Sequence, residues 1–291
     1  MPSTRRAFLA AALAVAAGCS AGPDGDGTQT GTTTPGATTT PGGGSTTTPD
    51  SVPERWSYEP PFDEVGTLSL APGAGGPAVY VGSVGTGDPA TGETPADHDQ
   101  GLVAVSLAEG DEQWQLPLPA PPRTPPMHGG HDGPPRLYVE SAWASLHGRG
   151  ARLHAIDPTR GEAAWTFDTE DRRFVYPLAT TDDAVFVGRS DDQLSGSGEY
   201  LYAVGAEEGA ERWRVEAGDA PRRGHAVRRD TLMVNTYGGF RALDPSSGEE
   251  RWQAGDGAPV DGPAYGSRGE RVFVGSGGVV RGLAVADGTE Q

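Results

Sequence analysis

Lysine is absent from this chain. All 22 basic residues are arginine and stand against 40 Asp and Glu, for a formal net charge of −18. A nucleic-acid binder needs the opposite sign on its contact face, so this balance argues against that partner class. The acidity reads instead as a solvated surface that keeps the protein soluble, of the kind halophiles use. The competing reading is a docking surface for a basic partner, and no spacing of the carboxylates singles one out. Cysteine occurs once, at Cys19, which rules out a disulfide within one chain and any thiolate metal site. Asparagine also occurs once, at Asn235. Apolar stripes of helical period are missing, while 45 Gly and 26 Pro make up near a quarter of the residues and favour many tight turns between strands.

What the chain does have is repetition. Gly110-Asp-Glu-Gln-Trp114, Gly161-Glu-Ala-Ala-Trp165, Gly209-Ala-Glu-Arg-Trp213 and Gly248-Glu-Glu-Arg-Trp252 each follow a strand-like run. Those runs are Leu102–Val105, Leu153–Ile156, Leu201–Val204 and Phe240–Leu243. A fifth run, Gly282 to Gln291, stops one residue short of its tryptophan, and Pro53-Glu54-Arg55-Trp56 reads like the missing piece. Between the tryptophans a second strand recurs: Ala78–Ser83, Arg136–Ser141, Ala184–Arg189, Thr231–Thr236 and Arg271–Ser276. A period of roughly 40 to 50 residues with about four short strands per unit is the mark of propeller blades. The expected fold is therefore all-β, a propeller of about five four-stranded blades over residues 51–291. Pairing of the N-terminal strand at Trp56 with the C-terminal strand would close the ring and leave no open edge. Trp56, Trp114, Trp165, Trp213 and Trp252 are read as structural, each indole docking one blade on the next and burying on the order of 200 Å². Trp143 lies off this grid and reads as a loop-borne contact. Asp157 and Asp244 sit in Asp-Pro-x-x-Gly turns and are turn residues before anything else.

Residues 1–19 read as an address. Thr4-Arg5-Arg6-Ala7-Phe8-Leu9 resembles a twin-arginine export signal, and Ala7 to Ala17 has the length of a signal-peptide core, too short to span a bilayer. Ala16-Ala17-Gly18-Cys19 looks like a lipobox, with Cys19 as the lipidated residue and the membrane as its partner. Residues 20–50 are rich in Thr, Pro and Gly with little to bury, and are expected to form a disordered spacer about 30 Å in root-mean-square span. This places the chain at the cell membrane, lipid-anchored and facing the extracytoplasmic side.

The constellations that carry chemistry are sparse. His128-Gly-Gly-His131-Asp132 is the one histidine cluster, a weak metal candidate in a Pro/Gly-rich stretch with no second half. Asp97-His98-Asp99 lacks the alternating acids of a calcium loop. Gly85-Thr-Gly87 has no helix in prospect behind it to cradle a phosphate, and no nucleophile elbow with a plausible triad is present. Arg222-Arg223 and Arg228-Arg229 are the one basic cluster, better placed to pair with nearby carboxylates than to hold an anionic ligand.

The units Val-Tyr-Val-Gly-Ser and Leu-Tyr-Ala…Gly-x-x-x-Trp resemble the pyrroloquinoline-quinone (PQQ) propeller repeat over about residues 51–291. With the signal and the acidity, the whole looks like a PQQ-like propeller lipoprotein of haloarchaeal type. That family holds quinone-dependent dehydrogenases and also non-enzymatic propellers, such as the outer-membrane assembly lipoprotein of bacteria. Resemblance to the dehydrogenases would imply PQQ and calcium, eight blades, a calcium-binding Glu and Asn, a catalytic Asp and often a vicinal cysteine pair. Five units, no cysteine in the domain and a lone Asn235 within a strand motif depart from that pattern, and no catalytic residue maps across. The expectation is thus a non-catalytic binding or scaffold module without cofactor, whose partner is another protein or a cell-surface polymer. The alternative is a reduced quinoprotein.

Overall fold

The computed structural model describes residues 55–84, 100–130, 135–145, 148–169, 174–190, 199–219, 221, 224–255 and 261–291. Every regular element among them is a strand, and the strands form five antiparallel sheets in chain order. The first holds β1 (Val65–Gly73), β2 (Gly76–Ser83), β3 (Gly101–Ser106) and β4 (Glu112–Pro117). The second holds β5 (Met127–Gly129), β6 (Arg136–Ser145), β7 (Gly148–Asp157) and β8 (Glu162–Phe167). The third comprises β9 (Phe174–Thr180), β10 (Ala184–Ser190), β11 (Tyr200–Gly205) and β12 (Glu211–Glu216). The fourth comprises β13 (Ala226–Arg228), β14 (Thr231–Thr236), β15 (Gly239–Leu243) and β16 (Glu250–Ala254). In the fifth, β17 (Asp261–Tyr265), β18 (Arg271–Ser276) and β19 (Val279–Ala284) make three strands.

Each sheet is a simple meander, as short strands joined by tight turns dictate. The recurrent Val-Tyr-Val strand is second in its sheet, the Leu-x-Ala strand third, and the tryptophan strand fourth. β9 packs against β5 and β13, the first strands of its two neighbours, so the first strands converge and the tryptophan strands lie on the opposite side. The second strands are apolar at successive positions rather than alternating, because both their faces are covered. One face meets the preceding sheet and the other the following one. Thus Tyr80, Ala104 and Trp114 of the first sheet form one core with Leu137, Val139 and Ile156 of the second. Tyr138, Leu153 and Ala155 of the second sheet likewise join Val185, Val187 and Val204 of the third.

The two ends of the series differ from the middle. Residues before β1 lie over the first sheet, where Trp56, Tyr58 and Phe62 pack on Val79, Val81, Val103 and Val105. They make no strand with β19. On the far side of β19 the structure shows only an isolated bridge from Leu283 to Glu290 and a backbone bond from Gln291 N–H to Gly282 C=O. The propeller architecture follows the repeats, but the expected joining of N-terminal and C-terminal strands is not made through hydrogen bonds among the described residues.

Candidate functional site

The repeat tryptophans make one contact five times. The indole N–H of Trp56 donates to the carbonyl of Leu107 at 2.9 Å and that of Trp114 to Pro158 at 2.8 Å. Trp165 donates to Ala206 at 3.0 Å, Trp213 to Pro245 at 3.0 Å and Trp252 to Val285 at 2.9 Å. Each acceptor lies three residues before a glycine in the turn that follows the third strand of a sheet. That glycine is left-handed, as Gly248 shows with a φ of 75°, and its missing side chain leaves the room the indole fills. A Cβ on Gly248 would sit 2.8 Å from Trp213. Aspartate holds three of these turns, through Asp157, Asp244 and Asp287: Asp244 accepts from the backbone N–H groups of Ser246 and Ser247 and pairs with Arg251 at 2.6 Å. These bonds hold its carboxyl well below the usual carboxylate range, with the Ser246 hydroxyl the largest cause.

A second constellation was not legible as a site in the sequence. Glu140, on β6, is buried at 3% exposure. Burial pushes its carboxyl up to about 8, against smaller lowering effects of Arg123 and of the nearby Thr124 hydroxyl. At neutral pH it is therefore largely a neutral acid. Tyr176, on β9, sits at the junction of the second, third and fourth sheets and donates to the carbonyl of Pro221 at 3.4 Å. Its phenol is held well above the ordinary range by burial first, then by Glu199, Glu140 and Tyr237. Glu199 is buried, as is Arg189, whose guanidinium lies 5.0 Å from the ring centre of Tyr200. On the fourth sheet, buried Asn235 donates its backbone N–H to Nδ1 of His225 at 3.3 Å. Behind Glu140, the Ser141 hydroxyl and His154 Nε2 are 2.7 Å apart. His154 is pushed down to about 4, by burial and then by Arg152, and is neutral. The signal for this cluster lies in the second-strand motif. Gly82, Gly188 and Gly275 occupy one slot of the repeat, and Glu140 and Asn235 are the two departures from glycine there. The arrangement offers buried hydrogen-bonding groups from three consecutive blades.

The other sequence candidates are dispersed. Arg5, Arg6, Cys19, the spacer, Asp97-His98-Asp99, His131 and Arg222-Arg223 lie outside the described residues. His128, expected in a loop, is instead part of β5, where it pairs with Leu137 and its carbonyl accepts from Thr180 Oγ1 at 3.2 Å. Trp143 is not loop-borne. Extension of the β6–β7 hairpin carries it onto a strand opposite Gly150. Arg229 pairs with Glu270 at 2.5 Å, and Arg228 lies over Tyr265, 5.2 Å from the ring centre. Among the described residues no three His, Cys, Asp or Glu side chains come together as a metal ion would require. No helix among the described residues is long and apolar enough to cross a membrane.

Sheets of antiparallel meanders, stacked through an indole on a glycine turn, define a β-propeller of the PQQ-like repeat class. The family model described as "Outer membrane protein assembly factor BamB" matches residues 98–198 and 197–291, and the chain belongs to that family. None of the curated proteins matches the sequence. Among solved structures, BamB from Moraxella catarrhalis is similar at 16% identity and a TM-score of 0.49, covering 81% of this chain and 62% of that one. A quinohemoprotein alcohol dehydrogenase from Pseudomonas putida is similar at 13% identity and a TM-score of 0.47, covering 73% of this chain and 40% of that one. The chain thus spans about three-fifths of the first and two-fifths of the second.

Proposed function

We propose that this protein is a lipid-anchored, extracytoplasmic β-propeller that acts as a non-catalytic binding or scaffold module at the cell surface. The observation that carries the reading is the match of residues 98–291 to a family named for an assembly factor. In support, the blades are tied into a firm stack by the five indole contacts. The sequence varies most in the long connections of the first three units, where a protein or surface-polymer partner would be met. Arg5 and Arg6 direct export, Cys19 takes the lipid, and residues 20–50 hold the propeller off the membrane.

Two measurements on the intact chain test this. Mass spectrometry of the membrane fraction should find a lipid on Cys19, with Cys19→Ser released from the membrane, and protease added to whole cells should cleave the protein. A protein that stays cytosolic and unmodified sinks the reading. The purified chain should also stay colourless and redox-silent after addition of PQQ and calcium. A stoichiometric quinone with dye-linked oxidation of alcohols or sugars would replace the scaffold by a reduced quinoprotein.

A further inference from the structure

The first strand of the third sheet is where neighbouring sheets meet. β9 packs against β5, β6 and β7 of the second sheet and against β13 of the fourth. It carries a bulge, with Leu178 skipped between Pro177, opposite Val187, and Ala179, opposite Phe186. Such a bulge bends its strand and re-aims the side chains beside it. Tyr176 stands just ahead of this bend, opposite Gly188. A Cβ on Gly188 would sit 3.0 Å from the Tyr176 ring and 3.2 Å from Pro221. The glycine thus leaves the space in which the ring meets the segment leading into the fourth sheet.

A phenol has one proton to donate. Tyr176 gives it to the Pro221 carbonyl at 3.4 Å, a long bond for a hydroxyl donor. Two further contacts fix that segment: a bridge from Pro221 to Thr236 and the bond from Asn235 N–H to His225 Nδ1. A second acceptor faces the same hydroxyl from the second sheet. Glu140 holds the Gly188 slot of its own strand and, after burial and Glu199, is the next cause that raises the Tyr176 phenol. Tyr237 acts on that phenol from the fourth sheet, and Glu199 has contacts of its own. Burial raises the Glu140 carboxyl, and the cation that opposes this, Arg123 ahead of β5, is exposed and screened by water. From β7, Arg152 pairs with Asp168 and His154 is held by Ser141. Protonated, Glu140 is a neutral acceptor much like a peptide carbonyl. Ionised, it is a buried carboxylate, and hydrogen bonds to such a charge are roughly twice as strong as neutral ones.

We propose that Tyr176 is a two-position latch: with Glu140 neutral its hydroxyl holds Pro221 and fastens the segment leading into the fourth sheet, and with Glu140 ionised it turns to the carboxylate and releases Pro221. Glu140 gives its proton to solvent, while Tyr176 keeps its own because burial holds the phenol above its ordinary value. The Glu140 carboxyl is pushed up to about 8, so the change falls on the alkaline side of neutrality. The released segment lies where β12 hands over to β13, at the end of the third and fourth sheets from which the connection between β14 and β15 also leaves. The latch therefore couples pH to that end of the propeller, whatever the propeller binds.

Hydrogen exchange resolved to single amides of the full chain reads the latch, each rate being divided by its unstructured value at the same pH. Between about pH 6.5 and about pH 9.5 the amides of Asn235 and Thr236 should lose protection at least about tenfold more than those of β15 and β16. Glu140→Gln cannot ionise and should keep the neutral-pH protection throughout. Tyr176→Phe keeps the ring without the donor, so it should show the faster exchange already at about pH 6.5 and little further change. Equal alkaline loss in Glu140→Gln and the parent would overturn the proposal, and so would parental protection in Tyr176→Phe at the lower pH. A loss spread evenly over all the sheets would be general loosening and would sink it too. The parent and Tyr176→Phe profiles decide the matter even where Glu140→Gln does not fold.

Discussion

Two buried titratable side chains on adjacent strands of the second blade set the local pH response. Glu140 is raised to about 8, so between its ordinary value near 4.5 and pH 8 the folded state holds a proton that the unfolded chain has released. Stability contributed by this residue is present in full at low pH and is lost as pH rises through that window. Integrated over the shift, the loss is on the order of 5 kcal/mol by pH 9. His154 is lowered to about 4 from 6.5, so the unfolded chain takes up a proton first as pH falls, and stability is lost between pH 6.5 and 4. Across the overlap the two slopes have opposite sign and cancel. Denaturant titrations should thus show a plateau from about pH 4.5 to 6.5, with a decline on either side. Glu140→Gln should remove the alkaline decline and abolish the plateau, so that the acidic decline runs uncancelled from about pH 6.5 down to about 4. A mutant with the same alkaline slope as the parent would show that Glu140 ionises freely in the folded protein.

At the scale of the element, the blade junction couples a tryptophan on one sheet to a glycine on the next, and that coupling is measurable. Trp213→Ala removes a large packed ring and should cost about 3–5 kcal/mol. Gly248→Ala forces a left-handed alanine, worth about 1 kcal/mol, and also drives its Cβ to 2.8 Å from Trp213 and 3.0 Å from Val215. The single variant should therefore lose about 2–4 kcal/mol. With Trp213 already truncated, most of the steric part disappears, and the double mutant should be more stable than the sum by about 1–2 kcal/mol. Strict additivity in chemical denaturation would mean that the indole does not lie on the glycine. This junction was legible in the sequence because both partners recur at fixed spacing within short, local motifs. The first strands were not, since β5 and β13 are three residues long and carry no alternation. The Glu140 and Tyr176 cluster stayed hidden for another reason. Its members come from three blades, and their meeting depends on stacking that no local pattern encodes. Only the break from glycine at Glu140 and Asn235 hinted at it. Trp143 was misplaced because a hairpin can lengthen two strands without disturbing the repeat on either side.

For the whole molecule, charge is the dominant long-range term. With 40 carboxylates and 22 arginines, at least 18 acids have no arginine to pair with even if every arginine were used. The described ion pairs are surface contacts such as Arg152–Asp168 at 3.3 Å and Arg229–Glu270 at 2.5 Å, each worth at most about 1 kcal/mol. Folding gathers these like charges into a smaller volume, and the resulting repulsion is screened over about 10 Å at 0.1 M salt but about 3 Å at 1 M. The melting temperature should therefore climb by on the order of 10 °C from about 0.1 M to about 2 M KCl. The buried pair gives a way to separate the two scales. Glu140 and His154 respond to desolvation, which salt hardly touches, so their plateau and flanking declines should persist in about 2 M KCl after the global slope has flattened. A pH profile that becomes featureless at high salt would assign the whole response to the surface. A melting temperature indifferent to salt would show instead that the acidic surface leaves the stability of the fold unchanged.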